Sequence, residues 1–442
     1  MRSRLLLCFF LLAGAFGLET ARAQAALTLP NGLRVLTREQ RDRSLVAIQM
    51  FVQAGAREER AGEEGCAHFL EHLLFKGTKT RGPGALDREI ENLGAQFYAM
   101  TGPDYVRFGA TVVPAHTEHV LLLLDDLLRH ATLPEAEMER ERAVILDELA
   151  QRASEPTQSL SDTLFASAFP NHAYARSPGG APASIRMRNR AQLLAFYQRN
   201  YRPDRCTLVL TGDLPSERAY AMARKVFGAW QADEAETPER PAEPPILRGP
   251  STAAAEPLVA ASCVETEPGW VGIGFPAPAG AEKTDALATQ VLAALLAPGS
   301  PRLALPELMG VEIQARYTPR RDKSLFLLLA KLPALEQRGR VEAALLRVVA
   351  DLRRFPPGAE ELALARGRVL GKIFLETETC AGLAQAVGYA DLIEGDAPEP
   401  MRQRLARLTL ENVAEAARTL FVPERRVVAR VLPRQGNQKD GR

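Results

Sequence analysis

Gly65-Cys66-Ala67-His68-Phe69-Leu70-Glu71-His72-Leu73-Leu74-Phe75 sets two imidazoles and a carboxylate inside an otherwise apolar run. His68 and His72 are four residues apart, so on a helix they stack on one face, with Glu71 beside them. Phe69, Leu70, Leu73, Leu74 and Phe75 surround the cylinder, which predicts a buried helix. A polar group without a partner in such a place costs about 1 to 3 kcal/mol, and a carboxylate costs more. A bound metal ion resolves that cost. The competing reading is a core helix whose histidines are satisfied by backbone carbonyls.

His-x-x-Glu-His is also the inverted zinc-site pattern, in which the histidines ligate the metal and the glutamate stands beside its bound water. Five residues alone do not decide between the two readings, so the rest of the chain must. Met1 to Arg4 is a basic leader, Leu5 to Leu18 an apolar run, and Ala21-Arg22-Ala23 a small-x-small cleavage signal. This predicts a signal peptide over 1–23 and export, to the periplasm. No later stretch reaches the roughly 18 uninterrupted apolar residues of a membrane span. The formal charge of +1 includes Arg2, Arg4, Arg22 and Glu19, so the processed chain sits at −1. That balance gives no footprint for nucleic acid or an anionic membrane. Cys66, Cys206, Cys263 and Cys380 are too few to build a disulfide scaffold, so the core must come from apolar burial.

Ala26 to Leu36 reads as two strands across a Pro30-Asn31-Gly32 turn, and Ser44 to Val52 as a third. A helix over 85–93 ends at Gly94, and strands are expected over 96–101 and 105–113. Pro114 opens a Leu-rich helix to His130, and Pro134 opens another that carries Glu141 and Glu148, two turns apart on the border of its apolar stripe. Residues 231–257 are rich in Pro, Ala and Glu without periodicity and read as a linker. Beyond them the pattern repeats. Val112-Val113-Pro114 answers to Lys331-Leu332-Pro333 at an offset of 219, and Tyr201-Arg202-Pro203-Asp204-Arg205 to Phe421-Val422-Pro423-Glu424-Arg425 at 220. A period this long means two homologous domains. At the same offset the His-rich segment becomes Leu287-Ala288-Thr289-Gln290-Val291, without ligands.

The chain resembles the pitrilysin or insulinase family of metallopeptidases, which includes mitochondrial processing peptidases. The likeness rests on Gly65 to Thr78, on Glu139-Arg140-Glu141-Arg142 with Val144-Ile145-Leu146 and Glu148, on Gly179 after Pro170-Asn171-His172-Ala173-Tyr174, and on Tyr201-Arg202-Pro203. It implies an α+β fold of two homologous α/β-sandwich domains related by duplication. Each is a mostly antiparallel sheet packed with helices, and together they form a clamshell half. The implied divisions are 24–230 for the zinc domain, 258–435 for its ligand-free homologue, and a polar tail over 436–442. The resemblance implies one zinc per chain on His68, His72 and Glu148, Glu71 as general base, and Glu141 as a supporting carboxylate. Tyr98, Ala99 and Thr101 fall where relatives contact the substrate, although those relatives carry asparagine where this chain has Tyr98.

A second departure concerns partners. Relatives that work alone hold an arginine and a tyrosine in the second domain, and this chain has neither between Arg302 and Ile313; the adjacent Arg316-Tyr317 does not replace them. The expectation is therefore a secreted zinc endopeptidase acting on unfolded peptides, with a homologous partner chain supplying the missing pair. The alternative is a zinc-binding, non-catalytic subunit that captures peptides or serves assembly.

Overall fold

The computed structural model describes residues 25–231, 258–260, 269–395 and 401–432, and within them the chain forms two sheets on one plan. The expected signal peptide and polar tail, and nearly all of the expected linker, lie outside the described residues. The first sheet holds β1 (Ala25–Thr28), β2 (Arg34–Glu39), β3 (Val46–Val52), β4 (Gln96–Thr101), β5 (Val106–Val112) and β6 (Cys206–Gly212), in the order β1-β2-β6-β3-β5-β4. The second holds β7 (Leu258–Ala260), β8 (Trp270–Ala277), β9 (Glu312–Tyr317), β10 (Ser324–Lys331) and β11 (Val427–Val431), in the order β7-β11-β8-β10-β9.

Laying β2, β6, β3, β5, β4 against β7, β11, β8, β10, β9 matches every pairing. The first pair is parallel in each sheet and the remaining ones are antiparallel. The sequence anchors fall at equivalent places: Pro114 and Pro333 follow β5 and β10, and the one-turn helices Pro203–Arg205 and Pro423–Arg425 lead into β6 and β11. The duplication is thus a duplication of topology. The Leu-rich helix differs slightly from expectation, because Pro114–His116 makes a tighter turn before the α-helix Thr117–His130 begins.

On the inner face of the first sheet, Val46, Ile48, Met50 and Val52 are buried with Phe69, Leu70 and Leu73 of the His-rich helix Cys66–Leu74. Val271, Ile273 and Phe275 do the same in the second sheet beneath the helix Lys283–Leu295. The outer faces are covered crosswise. The helix Pro156–Ala168, from the first repeat, lays Leu160 and Leu164 on Leu325, Leu327, Leu329 and Ala429 of the second sheet. The helix Cys380–Glu394, from the second repeat, lays Ala384, Val387 and Ile393 on Leu36, Ala47, Phe51 and Val209 of the first.

Candidate metal centre

The His-rich helix opens at Gly65, whose φ of 87° suits a residue without a Cβ, and no side chain at that position caps it. The cap comes from elsewhere: the buried Glu59 carboxylate accepts the Ala67 N–H at 3.0 Å. The helix packs against Glu135–Ser154, which carries the glutamates expected to face it.

Three side chains converge between these helices. His68 Nε2 and His72 Nε2 each lie 3.5 Å from Glu148 Oε2, and the three donor atoms fall within 4.8 Å of one another. No other such group of His, Cys, Asp or Glu occurs among the described residues. His72 Nδ1 is 2.9 Å from Glu141 Oε2, whose other oxygen is 2.9 Å from Lys76 Nζ. An ionised Glu141 accepts a hydrogen bond from the His72 Nδ1–H, which leaves the Nε2 lone pair facing the cluster. Although burial opposes it, hydrogen bonds from Lys76 and His72 hold Glu141 below the usual carboxylate range. Burial, and then the neighbouring His72, lower the His68 pKa to about 4, so its lone pair is available at neutral pH.

Two neutral imidazole nitrogens and a carboxylate oxygen on one small triangle are the donor set of a zinc site with an open coordination position. Glu148 is 48% exposed, so the triangle opens to solvent on its side. The cluster is compatible with zinc held by His68, His72 and Glu148, and a zinc ion there would supply a Lewis acid. Glu71 accepts the Thr101 hydroxyl at 2.5 Å, and burial raises its pKa against that hydrogen bond.

The strand residues expected to meet substrate divide between two faces. Ala99 packs toward the inner core, and Thr101 is spent on Glu71. Tyr98 does not reach the cluster. It lies on the outer face, where its hydroxyl accepts from Gln49 Nε2 at 2.7 Å and the Arg107 guanidinium stands 5.1 Å from its ring. Strand alternation gives the reason: residues one apart point to opposite faces, so Tyr98 and Ala99 cannot both face the helix. In the second repeat Leu287 and Val291 are buried in the core, and the offset of 219 from Glu148 leads to Gly367 on Ala359–Glu376. Sequence reading missed the cap from Glu59, because a tertiary cap leaves no local pattern. It passed over Lys76 as well, although that residue lies inside the motif.

Residues 34–180 match the profile of insulinase, peptidase family M16, and residues 189–369 match the profile described as the peptidase M16 inactive domain. An uncharacterized zinc protease of Mycobacterium leprae is 33% identical over 202 residues, 46% of this chain and 45% of that one. The mitochondrial-processing peptidase subunit beta of Bos taurus is 33% identical over 216 residues, 47% of this chain and 44% of its own length. The aligned part of the chain thus spans about half the length of these relatives. Among solved structures, a protease from Helicobacter pylori shares the fold, with a TM-score of 0.82 and 22% identity over 93% of this chain and 99% of that one. The peptidase M16 inactive domain from Pseudomonas fluorescens also does, with a TM-score of 0.79 and 20% identity over 93% and 98%.

These matches correct the expectation of an endopeptidase that hydrolyses peptides with Glu71 as its base. Residues 189–369 carry the profile described as the family's inactive domain, and several relatives are named as one subunit of a processing peptidase. The findings favour the alternative reading, a zinc-binding subunit. With the family's two profiles lying end to end over most of the chain, the protein belongs to the insulinase family, peptidase family M16.

Proposed function

We propose that this chain is an exported, zinc-binding subunit that captures extended peptides beside its metal centre and acts together with a homologous partner chain. The observation that carries the reading is the asymmetry between the repeats: the first gathers three metal donors, and the second offers Leu287, Val291 and Gly367 in their place. One zinc per chain follows. Peptide capture is supported by β4, which among the described residues pairs with β5 alone and so forms the sheet edge next to the His-rich helix.

The second domain does not carry the arginine and tyrosine of relatives that work alone between Arg302 and Ile313, and the nearby Arg302 and Tyr317 are both engaged within the chain. Arg302 is committed to Glu361 through two contacts of 2.7 Å and to the Phe355 carbonyl at 2.9 Å. Tyr317 is buried, with its hydroxyl on the Pro278 carbonyl at 2.8 Å. The missing arginine and tyrosine support a division of labour with another chain.

Metal analysis and fluorescence anisotropy with an unfolded peptide test the proposal. The isolated chain should hold one zinc, lose it in His68→Ala and Glu148→Ala, and bind the peptide without sustained cleavage. Multiple turnover by the isolated chain, abolished in Glu71→Gln, would overturn the reading.

A further inference from the structure

One loop, residues 169–180, runs from the seam between the domains to the two ligand helices. At its start, His172 Nδ1 accepts the Tyr174 amide at 3.1 Å, which leaves the proton on Nε2, 3.1 Å from Asp322 Oδ2. Asp322 sits in the turn between β9 and β10 of the second domain. Arg57 grips the same carboxylate from the first domain, Nε to Oδ2 at 2.5 Å and Nη2 to Oδ1 at 3.1 Å. The Tyr174 hydroxyl donates to Asp104 at 2.5 Å and accepts the Asp322 amide at 3.2 Å, while the Arg320 guanidinium stands 4.7 Å from the Tyr174 ring. His172, Tyr174, Asp104, Asp322 and Arg57 are all buried.

The far end of the loop touches the metal centre. Arg176 donates to the Glu59 carbonyl at 2.8 Å, and the Glu59 side chain caps the His-rich helix. Gly179 lies between the ligand helices, so close that a Cβ there would stand 2.8 Å from Leu149 Cδ2 and 3.6 Å from His68 Nδ1. A Cβ on Gly180 would stand 2.7 Å from Gly65 Cα. The loop therefore forms the wall behind His68 and abuts the residue next to Glu148.

We propose that Asp322 is a positioning residue for the metal centre, acting through His172, Tyr174 and the loop to Gly179 and Gly180, so that the seating of the second domain sets the placement of His68 and Glu148 in the first. The inference rests on the metal-binding reading above. Its physical basis is that a binding constellation must be held within about 0.5 Å by the groups behind it, and this loop is hydrogen-bonded at the seam and closely packed against the ligand helices. A purely structural staple predicts something different, namely lower stability with an unchanged metal site. The pair Arg34–Asp391, 2.5 Å apart, also joins the two repeats, but it lies between β2 and the helix Cys380–Glu394 and serves as the control.

The experiment uses the full chain, with zinc affinity from chelator competition and the absorption bands of the cobalt(II) form as a report on ligand geometry. Asp322→Asn and Tyr174→Phe should each raise the zinc dissociation constant about tenfold, the low end for groups that orient metal ligands, and should shift the cobalt bands. Gly179→Ala should shift the bands with the seam intact. Asp391→Asn should change neither readout, even where it lowers the melting temperature. If Asp322→Asn fails to fold, Tyr174→Phe carries the test. Wild-type affinity and bands in the folded seam variants would overturn the proposal, as would equal losses in Asp391→Asn. Failure of the parent chain to bind zinc or cobalt would instead refute the metal-binding reading, and the proposal with it.

Discussion

Glu59 holds a carboxylate in a buried position where one oxygen accepts the Ala67 N–H and the other, buried, has no hydrogen-bond partner among the described residues. Burial raises its pKa from 4.5 to about 8, opposed by the hydrogen bonds from Ala67 and Gly65 and by the charge of Arg176. The sign of the consequence is fixed by linkage. Below pH 4.5 both folded and unfolded chains carry the proton; between 4.5 and about 8 the unfolded chain releases it first, so stability falls as pH rises through that window. The contribution is on the order of a few kcal/mol, one pKa unit corresponding to about 1.4 kcal/mol. Glu59→Gln keeps an acceptor for Ala67 and removes the titration. Urea denaturation of the metal-free protein at a series of pH values should therefore show a shallower loss of stability from pH 4.5 to 8 in the variant than in the parent. Parallel profiles would mean that Glu59 is ionised throughout and its charge is compensated by its neighbours.

At the scale of elements, the crossing of the two outer helices makes the apolar contact between the repeats, and Gly388 lies where one of them meets the first sheet. A Cβ there would stand 2.2 Å from Cε2 of Phe51, a fully buried ring in the centre of the first sheet. Gly388→Ala must displace either the helix or the ring, and overpacking of this kind costs about 1 to 3 kcal/mol. Equilibrium unfolding in urea should report that loss, and an unchanged midpoint would show that the helix rides freely on the sheet. The strands of the first repeat, the helix bearing Glu141 and Glu148, and the matching anchors in both repeats were legible because periodicity and Pro or Gly signals are local. The crossing was not, because the apolar stripe of Pro156–Ala168 or Cys380–Glu394 says that a face is buried without saying against which sheet. The metal cluster was legible from His68, His72 and the family likeness that brings in Glu148, whereas the outward face of Tyr98 required the register of β4 against β5.

For the whole molecule, crosswise coverage means that neither repeat closes its own surface. Leu36, Ala47, Phe51 and Val209 on the first sheet are fully buried, and the residues over them, Ala384, Val387 and Ile393, belong to the second repeat. The second sheet depends in the same way on Leu160 and Leu164, both fully buried, from the first repeat. Cutting the chain at the proline-rich stretch therefore exposes an apolar sheet face on each half and leaves an unpartnered apolar helix on each. Patches of that kind on an isolated domain drive association. A fragment of residues 24–230 should accordingly aggregate, or bind a hydrophobic dye and melt well below the intact chain. Adding a separately produced fragment of residues 258–435 should restore a soluble one-to-one complex, abolish the dye signal and return zinc affinity toward that of the whole protein. Light scattering, dye fluorescence and chelator competition on the two fragments, alone and mixed, measure each of these. A monomeric first fragment as stable as the intact chain would show that the crossing helices contribute little, and that the inner core alone holds the metal helices in place.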